Sequence, residues 1–222
     1  MDWIILIAAA FGAGVLNTIA GGGTFLTFPA LVFAGLPPVA ANGTSAVAVL
    51  PGYLSGTIGF ARELRTIEVA LILRLTFWTL IGGLIGAGLL MVSSNAAFSA
   101  IVPFLLLAAT LILVFAAPLR LWASHNARAV TPYGAIGLVI VSVYGGGYFN
   151  GGLGIVLLAL FSMWGMSNIH QMNGLKNWLS FALSAISGLT LIAAAFVGAQ
   201  PWTIAIILMI TLGLRIKLRE TQ

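Results

Sequence analysis

No cysteine occurs in the 222 residues, which excludes disulfide bonds and thiolate metal sites and leaves the redox compartment open. Charged residues are also scarce, at 6% of the chain against about 25% in soluble domains. So few charges cannot cover the surface of a soluble domain, and 61% of the residues are hydrophobic. We therefore interpret the chain as a single integral membrane domain whose outer surface faces lipid.

Acidic side chains are fewer than basic ones, four against nine, and all are predicted in loops or at chain ends, at Asp2, Glu63, Glu68 and Glu220. The predicted spans therefore offer no acidic side chain to bind a sodium ion or relay a proton, which argues against a cation substrate. With two histidines and no thiol, we expect no metal, no cofactor and no enzymatic activity. The net charge of +5 forms no basic stripe, so we expect no nucleic-acid partner.

Long apolar runs predict an all-α integral membrane protein with about seven full spans, since a helix of about 20 apolar residues crosses the hydrocarbon core. The predicted spans are 70–92, 96–117 and 178–198, and the runs 39–60 and 132–149 are further candidates.

Three other runs are short or interrupted by glycine. Backbone groups freed by such breaks persist at membrane depth only where they face protein or a wet cavity, so broken or re-entrant helices point to a transport pathway. Whether each short pair crosses the membrane or dips in and returns stays open. These runs are 3–20 before Gly21-Gly22-Gly23, 24–36 before Pro37-Pro38, and 153–166 after Gly151-Gly152.

A gapless shift of 131 positions brings the breaks of the two halves into register. We predict an internal repeat within one transporter domain, with repeat 1 at about 1–117 and repeat 2 at about 131–222. The aligned positions include Gly21 on Gly152, Gly23 on Gly154 and Asn42-Gly43 on Asn173-Gly174.

Basic residues indicate how the repeats are oriented. Arg62, Arg65 and Arg74 follow the first-half segment that ends near residue 60, whereas the equivalent stretch of repeat 2, 193–205, has no charge. Because basic loops stay on the cytoplasmic side, these equivalent loops should lie on opposite faces. The pattern predicts an inverted-topology repeat, in which the last span of repeat 2 is missing.

Two glycine pairs have the small-xxx-small spacing that lets membrane helices approach closely. They are Gly52 with Gly56 and Gly82 with Gly86. We interpret both pairs as packing within the chain rather than as dimer contacts.

The first candidate substrate site is the glycine tract after the first apolar run, together with its repeat partner. A half-helix beginning at Thr24 would aim its positive dipole end at a bound anion, as inverted-repeat transporters do near the membrane midplane. Close helix packing is the alternative. The candidate substrate-binding residues here are Asn17, Thr18, Gly21, Gly22, Gly23, Thr24, Asn150, Gly151 and Gly152.

A second candidate set follows the short segments, with Asn42, Thr44 and Ser45 in the first half and Asn173, Lys176 and Asn177 in the second. These asparagines and hydroxyls also suit helix starts, so simple capping is the alternative. Lys176 lies outside the predicted loops and tail, and a charge inside a helix bundle is costly unless it is functional or paired. We hypothesise that Lys176 supplies the positive charge for a bound anion, with snorkelling to the interface as the alternative.

The stretch 14–31, GVLNTIAGGGTFLTFPAL, resembles the opening signature of the TauE/SafE sulfite exporter family and continues into 35–38 (GLPP) and 41–45 (ANGTS) in the family's order. The stretch 144–154, YGGGYFNGGLG, looks like the second-repeat version, and 81–87, IGGLIGA, is similar to a later glycine motif of the family. The resemblance implies a multi-pass protein of the bacterial inner membrane that moves sulfur-containing anions such as sulfite, sulfoacetate or related organosulfonates.

The family usually has more helix after the second repeat than this chain has. The resemblance leaves three interpretations open: the fold tolerates the loss, a partner subunit (a homodimer, for example) fills the gap, or function is compromised. Residues and resemblance together favour a transporter that works by alternating access, whose partners are a small anionic substrate and the lipid bilayer. An anion-permeable channel on the same architecture and a purely structural subunit are the alternatives.

Overall fold

The computed structural model describes residues 2–19, 21–115, 118, 121 and 134–197, and every regular element in these residues is a helix. The predicted all-α fold is confirmed for this part of the chain. The helices are α1 (Asp2–Ile19), α2 (Thr24–Phe33), α3 (Pro38–Ala48), α4 (Leu50–Gly59), α5 (Ala61–Leu64), α6 (Val69–Val92), α7 (Asn95–Val114), α8 (Gly134–Ser142), α9 (Leu153–Met163) and α10 (Ile169–Val197), with a π-helical segment, Val143–Tyr148, that continues α8.

The first two helices form a hairpin that reverses at the predicted glycine break. Gly21 has a left-handed φ of +82°, and its N–H donates to Leu16 O at 2.9 Å, which closes the end of α1. Gly12 of α1 lies against Leu26 of α2, where an added Cβ would be 2.9 Å from Leu26 Cδ1. The chain therefore runs back along α1, and the 10 residues of α2 cover only about 15 Å.

A second hairpin is formed by α8, the π-helical segment and α9. A Cβ added to Gly145 would be 2.8 Å from Leu153 Cδ1, and one added to Gly137 would be 3.4 Å from Leu160 Cδ1. The later glycine meets the earlier leucine and the earlier glycine meets the later leucine, so α9 runs back antiparallel beside α8. Both glycine-interrupted segments are thus helical hairpins that return rather than continue.

Proline divides the segment predicted as one span at 39–60. Pro51 has no N–H to donate to Val47 O, and the helix is interrupted there at Val49 between α3 and α4. Val49 keeps a helical backbone (φ −85°, ψ −8°), and its N–H still donates to Ser45 O at 3.1 Å. The two helices therefore form one helical path with a local break at the proline.

Two of the described helices are both long and apolar enough to cross a membrane, namely Val69–Val92 and Ile169–Ala193. The span predicted at 70–92 is therefore confirmed to within one residue. The start predicted at 178 is wrong by nine residues, because α10 already begins at Ile169. Of the span predicted at 96–117, α7 covers Asn95–Val114. Predictions for 131–133 and for repeat 2 beyond residue 197 fall outside the described residues.

Apolar packing holds the long helix α10 at the centre of the described fold. Leu175, Leu179 and Leu183 are fully buried in a cluster that also contains residues of α6, α8 and α9. A second cluster joins Phe28 of α2 edge-on to Phe149 of the second hairpin, with ring centroids 5.7 Å apart. Large apolar side chains face outward elsewhere, as lipid-facing residues do.

Glycines on α6 let the second hairpin approach its backbone. A Cβ added to Gly86 would be 2.5 Å from Gly147 Cα and from Val143 O. Gly82 meets Ser142 in the same way one turn earlier. The interpretation of this glycine pair as packing within the chain is confirmed.

Substitution of Gly86 by alanine should therefore destabilise the protein by about 1–3 kcal/mol through overpacking. The measurement is the midpoint of thermal unfolding in detergent, which should fall. Gly88→Ala is the control in the same helix, since a Cβ there meets nothing within 4 Å and alanine is the better helix former. Equal midpoints for the two variants would contradict the close packing of α6 on the second hairpin.

Candidate functional site

The two hairpin tips meet at Gly21 and Gly154, which are both buried. Gly154 N–H donates to Gly21 O at 3.4 Å, and a Cβ added to Gly21 would collide with the Gly154 backbone. Each tip contains a left-handed glycine, with φ +82° at Gly21 and +74° at Gly152. Because only glycine combines this φ with so close an approach, the tips touch where the sequence breaks the helices.

The buried side chain of Asn17 stabilises the first tip. Its buried Oδ1 accepts a hydrogen bond from Gly23 N–H at 2.7 Å, and Phe25 N–H donates to Gly22 O at 3.1 Å. The start of α2 therefore offers fewer amides to an anion than a bare helix N-terminus would. What the tip does offer is side-chain groups: Asn17 Nδ2 and Thr24 Oγ1 are buried without a hydrogen-bond partner among the described residues.

The second tip leaves the π-helical segment at Phe149, whose backbone is extended (φ −145°, ψ 112°). Asn150 follows, and its Nδ2 donates to Ser184 Oγ of α10 at 3.3 Å. Asn150 Oδ1 is buried without a described partner. Gly151 lies under the Phe149 ring, where a Cβ would be 2.5 Å from Cε1. One polar contact and one aromatic ring thus anchor this tip.

Each tip is also tied to a helix of the other half of the chain. Lys176 Nζ of α10 donates to Thr18 O at the end of α1, at 3.4 Å. Asn42 Nδ2 of α3 donates to Tyr148 O at the end of the π-helical segment, at 2.8 Å. Both carbonyls belong to the last turn of a helix, where no partner exists within the helix itself. These two contacts are called the crossed ties below.

Lys176 is fully buried, so the snorkelling alternative is wrong. Its Nζ also donates to Asn173 Oδ1 at 3.0 Å. The Asn173 amide and the Thr18 carbonyl are neutral acceptors, and the negative end of the α1 dipole favours a cation at this point. The lysine therefore has a structural role as well, because it caps the C-terminal end of α1.

The capping alternative for the asparagines is also wrong. Asn42 and Asn173 lie inside α3 and α10 rather than before their first turns. Asn168 caps α10 instead, since its Oδ1 accepts from His170 N–H at 3.0 Å and from Gln171 N–H at 3.3 Å. Asn42 instead donates to Tyr148 O of the second hairpin, and Asn173 accepts from Lys176 Nζ of the same helix.

Of the two hydroxyls predicted beside Asn42, the structure brings only one inward. Ser45 is fully buried and hydrogen-bonded to Thr27 of α2. Thr44 is exposed, on the opposite side of α3 from Asn42. The placement of Thr44 in the site is therefore not supported, because a helix turns neighbouring residues by about 100° and separates them onto different faces.

A glycine face on α4 brings Asn17 and Asn177 to one place. A Cβ added to Gly56 would be 2.7 Å from Asn177 Nδ2, and one added to Gly52 would be 4.0 Å from Asn17 Nδ2. Asn177 is fully buried, and neither atom of its amide has a described partner. Two asparagines from opposite halves of the sequence thus lie one helical turn apart along α4, beside the first tip.

Three further polar residues at this site were missed by the sequence reasoning. Tyr53 of α4 faces Ser180 of α10, and Ser184 holds the second tip. All three are buried. The signal that could have found the serines is their spacing of three and seven residues after Asn177, which puts all three residues on one face of α10.

Interrupted helices that meet at a buried, polar and positively charged centre define this molecule as a multi-pass membrane protein of the transporter class. The chain belongs to the Sulfite exporter TauE/SafE family, whose model matches residues 6–216.

Relatives of the chain carry transporter names. A "Probable membrane transporter protein" of Haemophilus influenzae is 31% identical over 202 residues, which cover 87% of this chain and 78% of the relative. "Probable membrane transporter protein ORF9" of a Sinorhizobium species is 37% identical over 106 residues, which cover 48% of this chain and 40% of the relative. "Probable membrane transporter protein YfcA" of Escherichia coli K12 is 42% identical over 59 residues, or 27% of this chain and 22% of the relative. No solved structure matches the chain.

The tip contact can be separated from backbone strain by two glycine substitutions. Gly21→Ala forces alanine into a positive φ and into the Gly154 backbone, whereas Gly35→Ala meets only the strain, since Gly35 has φ +93° and open space around its Cα. We expect Gly35→Ala to cost about 1–2 kcal/mol and Gly21→Ala about 1–3 kcal/mol more. Thermal unfolding in detergent measures the difference. Equal losses would show that the tip contact contributes nothing to stability.

Proposed function

We propose that the protein carries sulfur-containing anions, such as sulfite, sulfoacetate or related organosulfonates, across the cytoplasmic membrane by alternating access. The substrate would bind between the first hairpin tip and α10. The residues in contact with it would be Asn17, Thr24, Asn150, Asn173, Lys176 and Asn177, held in place by the glycines of the two tips.

The observation that carries this proposal is the burial of Lys176 beside amides that lack partners. Removing an ammonium group from water costs several kcal/mol, and a bound anion would offset part of that cost because it pairs directly with the charge. Asn17 Nδ2 and Asn177 Nδ2 lie at the same tip and are available as donors to its oxygens.

The chemistry of the site residues favours an oxyanion without a positive group. The described candidates are amides, hydroxyls, backbone groups and one lysine, and none of them is a carboxylate. Such donors suit sulfite or a sulfonate oxygen, whereas the ammonium of a zwitterion such as taurine would have no acidic partner among them. The choice of sulfur follows from the family to which the chain belongs.

Alternating access is supported by the likeness of the two hairpins. In each half, a long arm is followed by a left-handed glycine, a short helix, a second left-handed glycine and a further helix. The left-handed glycines are Gly21 and Gly35 in the first half and Gly152 and Gly165 in the second. Inverted repeats of this kind let one half rock against the other around a central site. The crossed ties are the contacts that such a movement would exchange.

Removal of the charge at residue 176 should weaken anion binding while the fold survives. Lys176→Gln keeps a donor for Thr18 O but loses the ammonium, and a charged hydrogen bond contributes about 1.5–3 kcal/mol. We expect the Kd for sulfoacetate to rise by about 10- to 100-fold. Thermal shift in detergent over a sulfoacetate titration gives this value.

Arg74→Gln is the matched control, since Arg74 is an exposed cation on α6. Its titration should follow that of the unmodified protein. Unchanged protection of Lys176→Gln by sulfoacetate would remove Lys176 from the substrate site. A large fall in the midpoint of its ligand-free form would show that capping of α1 is its main role.

Reconstituted protein should act as a carrier rather than as a channel. In proteoliposomes preloaded with sulfoacetate, uptake of labelled sulfoacetate should saturate and should show counterflow, because a carrier exposes its site to one side at a time. Lys176→Gln liposomes should lose most of this uptake. Large unitary anion currents without counterflow would replace the carrier by an anion channel on the same fold.

A further inference from the structure

Six polar residues of α10 lie on one side of the helix, and they are called the stripe below. At about 100° per residue they fall within an arc of about 100° on one side of the helix. Five of the six are no more than 1% exposed, and Asn173 is half-buried. The stripe consists of Asn173, Lys176, Asn177, Ser180, Ser184 and Ser187.

The stripe joins the two hairpin tips. Lys176 contacts Thr18 at the first tip, and Ser184 contacts Asn150 at the second. Lys176, Ser180 and Ser184 follow one another at intervals of one turn, so the two anchor points lie about 12 Å apart along α10 with Ser180 midway. To one side of the stripe, Leu183 packs against Gly83 of α6, and to the other, α3 packs against α10.

Packing alone does not account for these side chains. Hydroxyls inside membrane helices commonly satisfy themselves by donating to the carbonyl four residues earlier. Thr57, Ser162 and Thr190 of this chain do so, at 2.8, 3.0 and 2.7 Å. Ser180 Oγ makes no such bond, and it faces the Tyr53 hydroxyl instead.

The amide of Asn177 is a second, separate observation that points to a ligand. Its side chain is fully buried, and both atoms of its amide are without a partner among the described residues. An amide left in that state loses its hydrogen bonds to water and gains none from the protein in return. If this side chain only filled the space between α4 and α10, a leucine there would avoid the cost of burying an unpaired amide. The amide is therefore suited to a polar ligand that binds and leaves.

We infer that the transported anion passes along this face of α10, with Asn177, Ser180 and Ser184 as successive hydrogen-bond partners between Lys176 and the second tip. The inference rests on the proposed function and extends the binding site into a route. Neutral hydroxyls and amides can donate to a sulfonate oxygen without holding it as tightly as a second lysine would. Several weak positions in sequence favour passage over trapping.

The absence of cysteine from the sequence makes the route directly testable. Single variants Ser180→Cys and Ser184→Cys are to be treated with 2-sulfonatoethyl methanethiosulfonate, a membrane-impermeant reagent that is itself a sulfonate. A thiol reacts with it only as the thiolate, which forms in water and not in lipid or in a dry helix interface. We expect both cysteines to be labelled, and sulfoacetate to slow labelling at least about fivefold, as occupancy near saturation requires.

Two controls define the background. The first control is Ser142→Cys, because Ser142 is buried against Gly82 and lies off the stripe. The second is Leu189→Cys, because Leu189 is exposed on the lipid-facing side of α10. Neither should be labelled at a comparable rate. Elution as a single symmetric peak in detergent identifies the variants that fold. If Ser180→Cys does not fold, labelling of Ser184→Cys alone decides the test.

The outcomes separate the route from the function. Absence of labelling at both serines, or labelling that sulfoacetate does not slow, overturns the route. If the unmodified protein still shows counterflow in liposomes, the proposed function stands and the anion passes elsewhere. Protected labelling at either serine without any counterflow supports the route as a binding cleft and overturns the carrier.

Discussion

A helix that ends inside hydrocarbon leaves carbonyl groups without partners, and lipid has no donor to offer them. In this chain α1 and the π-helical segment end in the interior of the fold, and the crossed ties supply hydrogen-bond donors to their terminal carbonyl groups. Lys176 reaches the Thr18 carbonyl, and Asn42 reaches the Tyr148 carbonyl. The requirement for backbone satisfaction thus explains why polar side chains gather where the glycines break the helices.

Lys176 satisfies the carbonyl end of α1, which is negative, and the proposed substrate is negative as well. The ammonium lies at the negative end of α1, and a bound anion would lie on its other side, so that both neighbours favour the positive charge. Structural capping and the proposed anion recognition would therefore support each other at this position. A ligand that draws the ammonium away from Thr18 would loosen the first hairpin from α10 and would link occupancy of the proposed site to the contacts between the halves.

The sequence predicted the break at Gly21 because its cause is local, but Gly145-Gly146-Gly147 stays inside the π-helical segment, which ends only at Tyr148. Three adjacent glycines are poor helix formers, and Gly21 does reverse the chain. The bounds of α6 were also readable, since its apolar run is uninterrupted. The start of α10 was not, because Asn173, Lys176 and Asn177 lower the hydropathy of the first turns. Those residues are tolerated there only through contacts with distant segments, which periodicity in a single run does not reveal.

The failure at Thr44 has a related cause. Residue type and spacing placed it with Asn42 and Ser45, but the face that α3 turns inward is decided by its packing on α2 and α10. Only the tertiary contacts exclude Thr44 and admit Ser180 and Ser184. The repeat and its inverted orientation remain predictions, to which the matching left-handed glycines of the two hairpins lend support.

The crossed ties also bear on how the molecule is assembled. They link residues 158 and 106 positions apart, so neither contact can form until most of the intervening chain has been made. At ribosomal rates of about 5–20 residues per second, α10 emerges roughly 10–30 s after the end of α1. Over that interval the first hairpin has no lysine to cap it. Nascent chains should therefore depend on insertion machinery that shields the hairpin, and separated halves should be degraded unless both are made together.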